Sequence, residues 1–190
     1  MIKQEEKIRL KIVGGTFRSR NLVVPDLSGV RPTQERIRKA VFSALGEKFS
    51  GGRALDLFAG SGAYGFEGLS RGMSFCVFND LQKKCTIAIK KSASILGVQD
   101  KTAVMSYDFS DALKHLEGQV FDYVFLDPPY KMDVNAGIVQ KMEEGKLLSP
   151  EAVLVLEQEE ELMPIRGYDV KTYAYSYKRI GIYRKKGEEK

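Results

Sequence analysis

Apolar positions along this chain follow two rhythms, each confined to its own region. From Lys7 to Val24 (KIRLKIVGGTFRSRNLVV), Ile8, Leu10 and Ile12 alternate with Lys7, Arg9 and Lys11, the period-two signature of a strand with one apolar and one basic face. Gly14-Gly15 interrupts the run and predicts a hairpin. Residues 25–32 are turn-rich, and Thr33 stands where it would cap a helix whose Ile37, Val41, Phe42 and Leu45 fall at helical spacing. Beyond Gly51-Gly52, short apolar runs at 54–58, 75–78, 102–106, 123–126 and 153–156 alternate with amphipathic stretches near 62–71, 81–96, 109–116 and 134–145. Strands separated by helices predict β-α-β units and an α/β, doubly wound, Rossmann-like sheet that is mostly parallel. Tyr168 to Tyr175 and Ser176 to Arg184 follow each other almost without a gap, which predicts a C-terminal hairpin with an antiparallel strand at the sheet edge. The expected organisation is a basic N-terminal hairpin extension and connector over residues 1–32 and one main domain over 33–190.

Composition narrows the class. With 190 residues and 43% hydrophobic content, the chain is long enough for one well-filled core. No apolar run approaches the ~18 residues of a membrane span, and the N-terminal charges are followed by no apolar signal region, so a cytoplasmic protein without membrane contact is expected. Cys76 lies in an apolar run and Cys85 in a helical stretch. Neither belongs to a ligand cluster, and both read as packing residues in a reducing compartment. The single histidine, His115, sits in a polar helical stretch and reads as a surface residue, leaving metal sites and histidine-activated nucleophiles poorly supplied. The net charge of +5 is localised: residues 1–40 carry +6 and the remainder −1. A basic front on a near-neutral body suits phosphate binding, with a solvated charged face as the plainer alternative.

Candidate chemistry begins at LDLFAGSGAYGF, residues 55–66, where Gly60, Gly62 and Gly65 match G-x-G-x-x-G directly after the first strand of the sheet. Ligands of such sheets bind beyond the C-terminal strand ends, so close backbone approach to a nucleotide-like compound is expected there. The glycines alone do not choose between NAD and S-adenosylmethionine, and Asp80, after FCVFN, would bind a ribose of either. Asp56 favours the second, because a carboxylate suits an ammonium and a sulfonium better than a pyrophosphate; it also reads as a buried acid bonding nearby amides. Asp108 closes the next strand, where it would face an adenine amino group, cap the following helix, or do both.

Asp127-Pro128-Pro129-Tyr130 follows VFDYVFL. Two prolines fix the backbone and remove two N–H donors, so the Asp127 carboxylate and Pro128 carbonyl would act as paired acceptors. An exocyclic amine offers two N–H bonds, and Tyr130 would stack on its ring.

DLFAGSG together with DPPY resembles the amino-methylating branch of the class I S-adenosylmethionine-dependent methyltransferases. The front half resembles one family within it. Arg9-Leu-Lys-Ile-Val-Gly-Gly15, Phe17-Arg18-Ser-Arg20, and Arg31-Pro32-Thr33 with Glu35-Arg36-Ile37-Arg38 are similar to the ordered blocks of the RsmD family, which methylates N2 of a guanine in bacterial 16S rRNA. The resemblance runs from about Lys7 to Arg184. It implies that Asp56, Phe58, Gly60, Gly62, Asp80, Asp108, Arg31 and Thr33 bind S-adenosylmethionine. It further implies that Asp127, Pro128 and Tyr130 hold the guanine, and that 16S rRNA, within a small ribosomal subunit or its assembly intermediate, is the partner. Arg18, Arg20, Arg36 and Arg38 are expected to grip RNA phosphates beside the crevice. Three positions depart from the family: Phe17 replaces Trp, Asp80 replaces Glu and Ser92 replaces Asn, the last without a reason visible in the sequence. DPPY also serves adenine-N6 and cytosine-N4 methyltransferases, but no ~100-residue segment remains for reading a DNA sequence. An NAD-dependent oxidoreductase and a non-catalytic RNA-binding module complete the alternatives.

Overall fold

The computed structural model describes residues 10–25, 35–128, 135–175 and 178–186. A short ladder pairs β1 (Leu10–Lys11) with β2 (Asn21–Leu22). Next come α1 (Glu35–Leu45), β3 (Arg53–Asp56), α2 (Ala63–Ser70), β4 (Phe75–Asn79), α3 (Lys83–Leu96), β5 (Thr102–Met105) and α4 (Phe109–His115). The chain continues through β6 (Phe121–Leu126), α5 (Asn135–Glu144), β7 (Leu148–Gln158), β8 (Tyr168–Tyr175) and β9 (Lys178–Lys185). Strands β3 to β9 form one sheet in the order β5-β4-β3-β6-β7-β9-β8. The order reverses beside β3, so the crevice between the β3 and β6 ends is the topological switch point of a doubly wound sheet.

The expected alternation of apolar runs and amphipathic stretches is what builds this sheet. Side chains on successive strand residues point to opposite faces. Ala54, Phe78, Phe125 and Val155 therefore face α1, α2 and α3 in one core layer, while Leu55, Val77, Val124 and Leu154 face α4 and α5 in the other. Cys76 and Cys85 are buried packing residues, as their settings suggest. Burial pushes the Cys85 thiol up to about 12, far from a reactive thiolate.

The C-terminal hairpin differs from expectation in one respect. Its antiparallel strand is not at the edge: β9 is inserted between β7 and β8, antiparallel to both, and β8 forms the edge running parallel to β7. The residues explain the order, because Ile180, Ile182 and Tyr183 of β9 are buried while Asp169, Lys171 and Thr172 of β8 are exposed. A polar edge strand discourages pairing with another chain.

The N-terminal hairpin is seated on the main body through one buried carboxylate. Glu67 of α2 is fully buried and accepts the N–H groups of Val13 and Gly14, each at 2.8 Å. The same carboxylate receives Arg71 Nε at 2.9 Å and lies 4.0 Å from Arg38 Nε. Arg38 in turn donates to the Lys11 carbonyl at 2.6 Å. At Gly15, with φ +75°, an added Cβ would lie 1.9 Å from the Ser70 carbonyl oxygen. Only glycine lets the hairpin turn meet the end of α2 that closely. Ser92 now has a reason as well: buried in α3, its Oγ accepts the Val23 N–H at 2.9 Å and holds the returning strand of the hairpin.

Candidate active site

Four of the predicted acids gather at the C-terminal strand ends, Asp56 within β3 and the others just beyond their strands, because the sheet register places them there. Asp56 pairs across the sheet with Phe78 on one side and Phe125 on the other. Asp80 and Asp127 each follow two residues later, at one level above it. Asp108 comes three residues after Met105, which pairs with Asn79. Asn79 ties the neighbouring loops together: its Nδ2 donates to the carbonyls of Leu57 and Tyr107, and its Oδ1 accepts the Tyr107 N–H.

The glycine turn is already occupied by protein carboxylates where a dinucleotide would need open N–H groups. Asp56, buried at the strand end, accepts the Gly65 N–H at 3.0 Å, inside the first turn of α2. Asp80 accepts the Gly60 N–H at 2.7 Å through one oxygen and the Gln82 N–H at 2.8 Å through the other. A helix N-terminus that receives an internal carboxylate does not need a pyrophosphate there. Gly62, with φ +75°, begins α2 in the left-handed conformation. Gly65 has a different task, since a Cβ there would lie 2.3 Å from Phe78 and 2.6 Å from Cys76. It is a helix-to-sheet packing residue.

Electrostatics select the sign of the ligand. Burial pushes the Asp56 carboxyl up to about 7; the Gly65 N–H opposes the shift, and the charges of Asp127 and Asp80 add to it. Three mutually repelling carboxylates around one turn favour a cation and disfavour a polyphosphate. The donor set therefore fits the ammonium and sulfonium of S-adenosylmethionine, with lone pairs left on Asp80 for ribose hydroxyls.

Three buried polar residues behind the Asp127 strand end are linked only by the structure. Tyr64 stacks on Phe125 at a centroid distance of 5.2 Å, directly before the Leu126-Asp127 strand end. Its hydroxyl donates to Glu157 Oε2 at 2.8 Å, and Lys178 bonds the other oxygen of the same buried carboxylate. Leu126 pairs with Leu156, so Glu157 follows at the level of Asp127 in the adjacent strand. Lys178 balances a second negative charge beside the first. Burial, with Asp127 adding to it, raises Tyr64 well above the usual phenol range, which keeps it a neutral donor. A lone acid inside the apolar run VLVLEQ was the available signal for Glu157.

The other predicted residues divide. Phe58 is half-buried and packs on Phe109, with centroids 6.0 Å apart. Asp108 is exposed and caps α4 by accepting the Ser110 N–H at 2.9 Å. Asp127 is half-buried and Pro128 buried at the end of β6, whereas Arg31, Thr33 and Tyr130 lie outside the described residues. His115 is exposed and stacks on Tyr107. Arg18 and Arg36 are exposed; Arg20 is exposed and donates to the Ile95 carbonyl at the end of α3.

Two expectations for the basic groups are corrected. Arg38 has no exposed surface and holds the hairpin through Lys11 and Glu67, so it is a structural cation and is withdrawn from the RNA-binding set. Nor does the hairpin turn lie beside the crevice. Thr16 and Phe17 bond Ser70 at the C-terminal end of α2, and that helix starts at the glycine turn. Eight residues of helix, about 12 Å, separate the two ends, so Arg18 sits toward the opposite end of the sheet. Arg36 lies in the first turn of α1.

Comparison with known proteins places this geometry. A family profile described as "Conserved hypothetical protein 95" matches residues 10–182. Ribosomal RNA small subunit methyltransferase D of Haemophilus influenzae is 34% identical over 157 residues, covering 82% of this chain and 81% of that protein. YlbH of Bacillus subtilis strain 168 is 31% identical over 186 residues, covering 94% of this chain and 100% of that protein. The solved structure of Escherichia coli yhhF superposes with a TM-score of 0.84 at 26% identity, over 95% of this chain and 99% of that one. A profile match over residues 10–182, with a relative 34% identical over most of both chains, makes the chain a member of the Conserved hypothetical protein 95 family, the RsmD family of methyltransferases.

Proposed function

We propose that this chain transfers the methyl group of S-adenosylmethionine to the exocyclic N2 of a guanine in small-subunit ribosomal RNA. The observation that carries the reading is the set of carboxylates around the glycine turn, cation-selective and adjacent to the Asp127-Pro128 strand end. The H. influenzae relative's name supplies the RNA.

S-adenosylmethionine supplies an activated methyl group. Asp56 would face its cationic portion, Gly60 and Gly62 would admit it to the backbone, Asp80 would take the ribose and Asp108 the adenine, and the family resemblance assigns Arg31 and Thr33 to the methionyl end. A guanine N2 lone pair is delocalised into the ring and is a poor nucleophile. Asp127 and the Pro128 carbonyl would accept its two N–H bonds, which would turn the lone pair toward the methyl carbon, and the family resemblance assigns Tyr130 to stacking on the base. The N–C bond forms as the C–S bond breaks, and the displaced proton leaves to Asp127 or to water. Positioning and fixed charge do this without a covalent enzyme intermediate. The base must leave its stack to enter, which favours a looped or single-stranded RNA target.

The direct test is methyl transfer from labelled S-adenosylmethionine to small ribosomal subunits, and to their naked RNA, lacking the modification. Label at N2 of one guanine, mapped by mass spectrometry, is the expected outcome; label on another base, or none, overturns the reading.

Asp56 makes cofactor affinity depend on pH. A cation against its carboxylate favours ionisation, so binding releases a proton below about pH 7 and affinity climbs with pH toward that point, by at most about tenfold per unit. The sign for folding is the reverse. With the folded value raised above the unfolded 3.8, the empty protein loses stability as pH rises between the two. Calorimetric affinity that stays flat from about pH 5.5 to 7.5 would separate Asp56 from the cofactor.

A further inference from the structure

A cavity of about 870 Å³ opens between the hairpin turn, the C-terminal part of α1 and the loop leading into β4. Its floor is partly apolar, with Phe49, Leu69 and Met73 among the lining residues. Arg18, Lys39, Lys48 and Lys101 also line it, and all four are exposed. None of the four forms an ion pair with a described residue. The one acid in the lining is Glu47, and Arg71, the remaining cation, is already held by Glu67. Four cations from three separate chain segments thus converge with a single opposing charge, at the sheet end remote from the crevice. Solvated surface lysines usually alternate with acids, and this group does not.

We propose that this cavity is a second RNA-docking site, which takes phosphodiesters of the substrate at a point separated from the methylated base by at least the length of α2. The proposal rests on the reading of the protein as an rRNA methyltransferase. Phosphate contacts orient a protein on its nucleic acid without reading sequence, and two separated contacts fix an orientation that one does not. The substrate must then be large and folded enough to reach both ends of the sheet, and a short loop bearing the target guanine engages only the crevice.

The experiment compares the wild type with Lys39→Glu/Lys48→Glu/Lys101→Glu and with Lys39→Gln/Lys48→Gln/Lys101→Gln, whose three sites are exposed and outside the crevice. Methyl transfer is measured on a long small-subunit rRNA fragment and on an oligonucleotide of about ten residues carrying the same guanine. Cofactor-free binding of the long fragment is followed against salt. For the charge-reversed protein, kcat/KM on the long RNA is expected to fall at least tenfold while the oligonucleotide changes less than twofold. The neutral variant should lie between. The slope of log affinity against log salt should shrink by about 2 to 3, at roughly 0.7 to 0.9 per lost phosphate contact. An unchanged slope overturns the docking site whatever the methylation shows, and so do equal losses on both RNAs. A changed slope in a protein that methylates neither these RNAs nor unmodified small ribosomal subunits supports the docking site and removes the rRNA methylation reading.

Discussion

Asp127→Ala is expected to lower methyl transfer by about 10²- to 10³-fold, the range for removing one group that is aimed at the reacting centre, with melting temperature nearly unchanged and cofactor affinity changed far less than turnover. Asp127 lies at the end of β6, two residues past Phe125, half-exposed and outside both core layers, so truncation opens no core cavity. On the proposed mechanism its loss removes one of two acceptors for the amine and a carboxylate that could take the proton. Asp127→Asn should fall between the two proteins, because the amide keeps a carbonyl acceptor but replaces the second oxygen with a donor that opposes the amine. Single-turnover methylation with saturating cofactor separates this effect from binding. Wild-type turnover by the alanine variant would remove Asp127 from the chemistry.

The second large effect is on stability. Glu67→Ala should destabilise the protein by about 3 to 5 kcal/mol, the scale for stripping a buried charge of its partner. The cause is specific: two backbone N–H groups, Val13 and Gly14, lose their acceptor, and the buried Arg38 and Arg71 lose their counter-charge. For a chain of this size that is a fall in melting temperature of roughly 6 to 20 °C. Trypsin cleavage at Arg18 or Arg20 should also accelerate, because the hairpin is released first. Glu67→Gln, which retains one carbonyl oxygen, should lose less. A shift under about 2 °C in the alanine variant would show that the hairpin is seated by its apolar contacts alone. The Arg18 wall of the proposed docking cavity depends on that seating, so Glu67→Ala should also weaken binding of long RNA more than methylation of a short one.

The two variants separate parts of the molecule that are differently visible in its sequence. Asp127 is announced by its neighbours, since DPPY has an unusual backbone and sits after an apolar run. Glu67 stands in AYGFEGLS, where nothing distinguishes it from a solvent-facing helix acid. Arg38 is the converse: in ERIRKA it reads as one of three surface cations, and only the returning hairpin turns it inward. The same applies to Ser92, whose part in holding the hairpin shows only once Val23 is seen to bond it.

What the sequence determined by itself is local in origin. Alternation of apolar positions, strand against helix, dictates the sheet and its two covering layers, because side-chain direction follows from the period of the backbone. The glycines at 60, 62 and 65 and the prolines after Asp127 mark the crevice, because their constraints are covalent and do not wait for a partner. The tertiary structure alone decided the rest. Val13 meets Glu67 across 54 residues and Tyr64 meets Glu157 across 93. It also decided that β9 enters the sheet interior and that the hairpin turn lies at the end remote from the crevice. A buried charge, a polar wall or a basic cavity is defined by which groups share a low-dielectric space, and chain proximity carries almost none of that information.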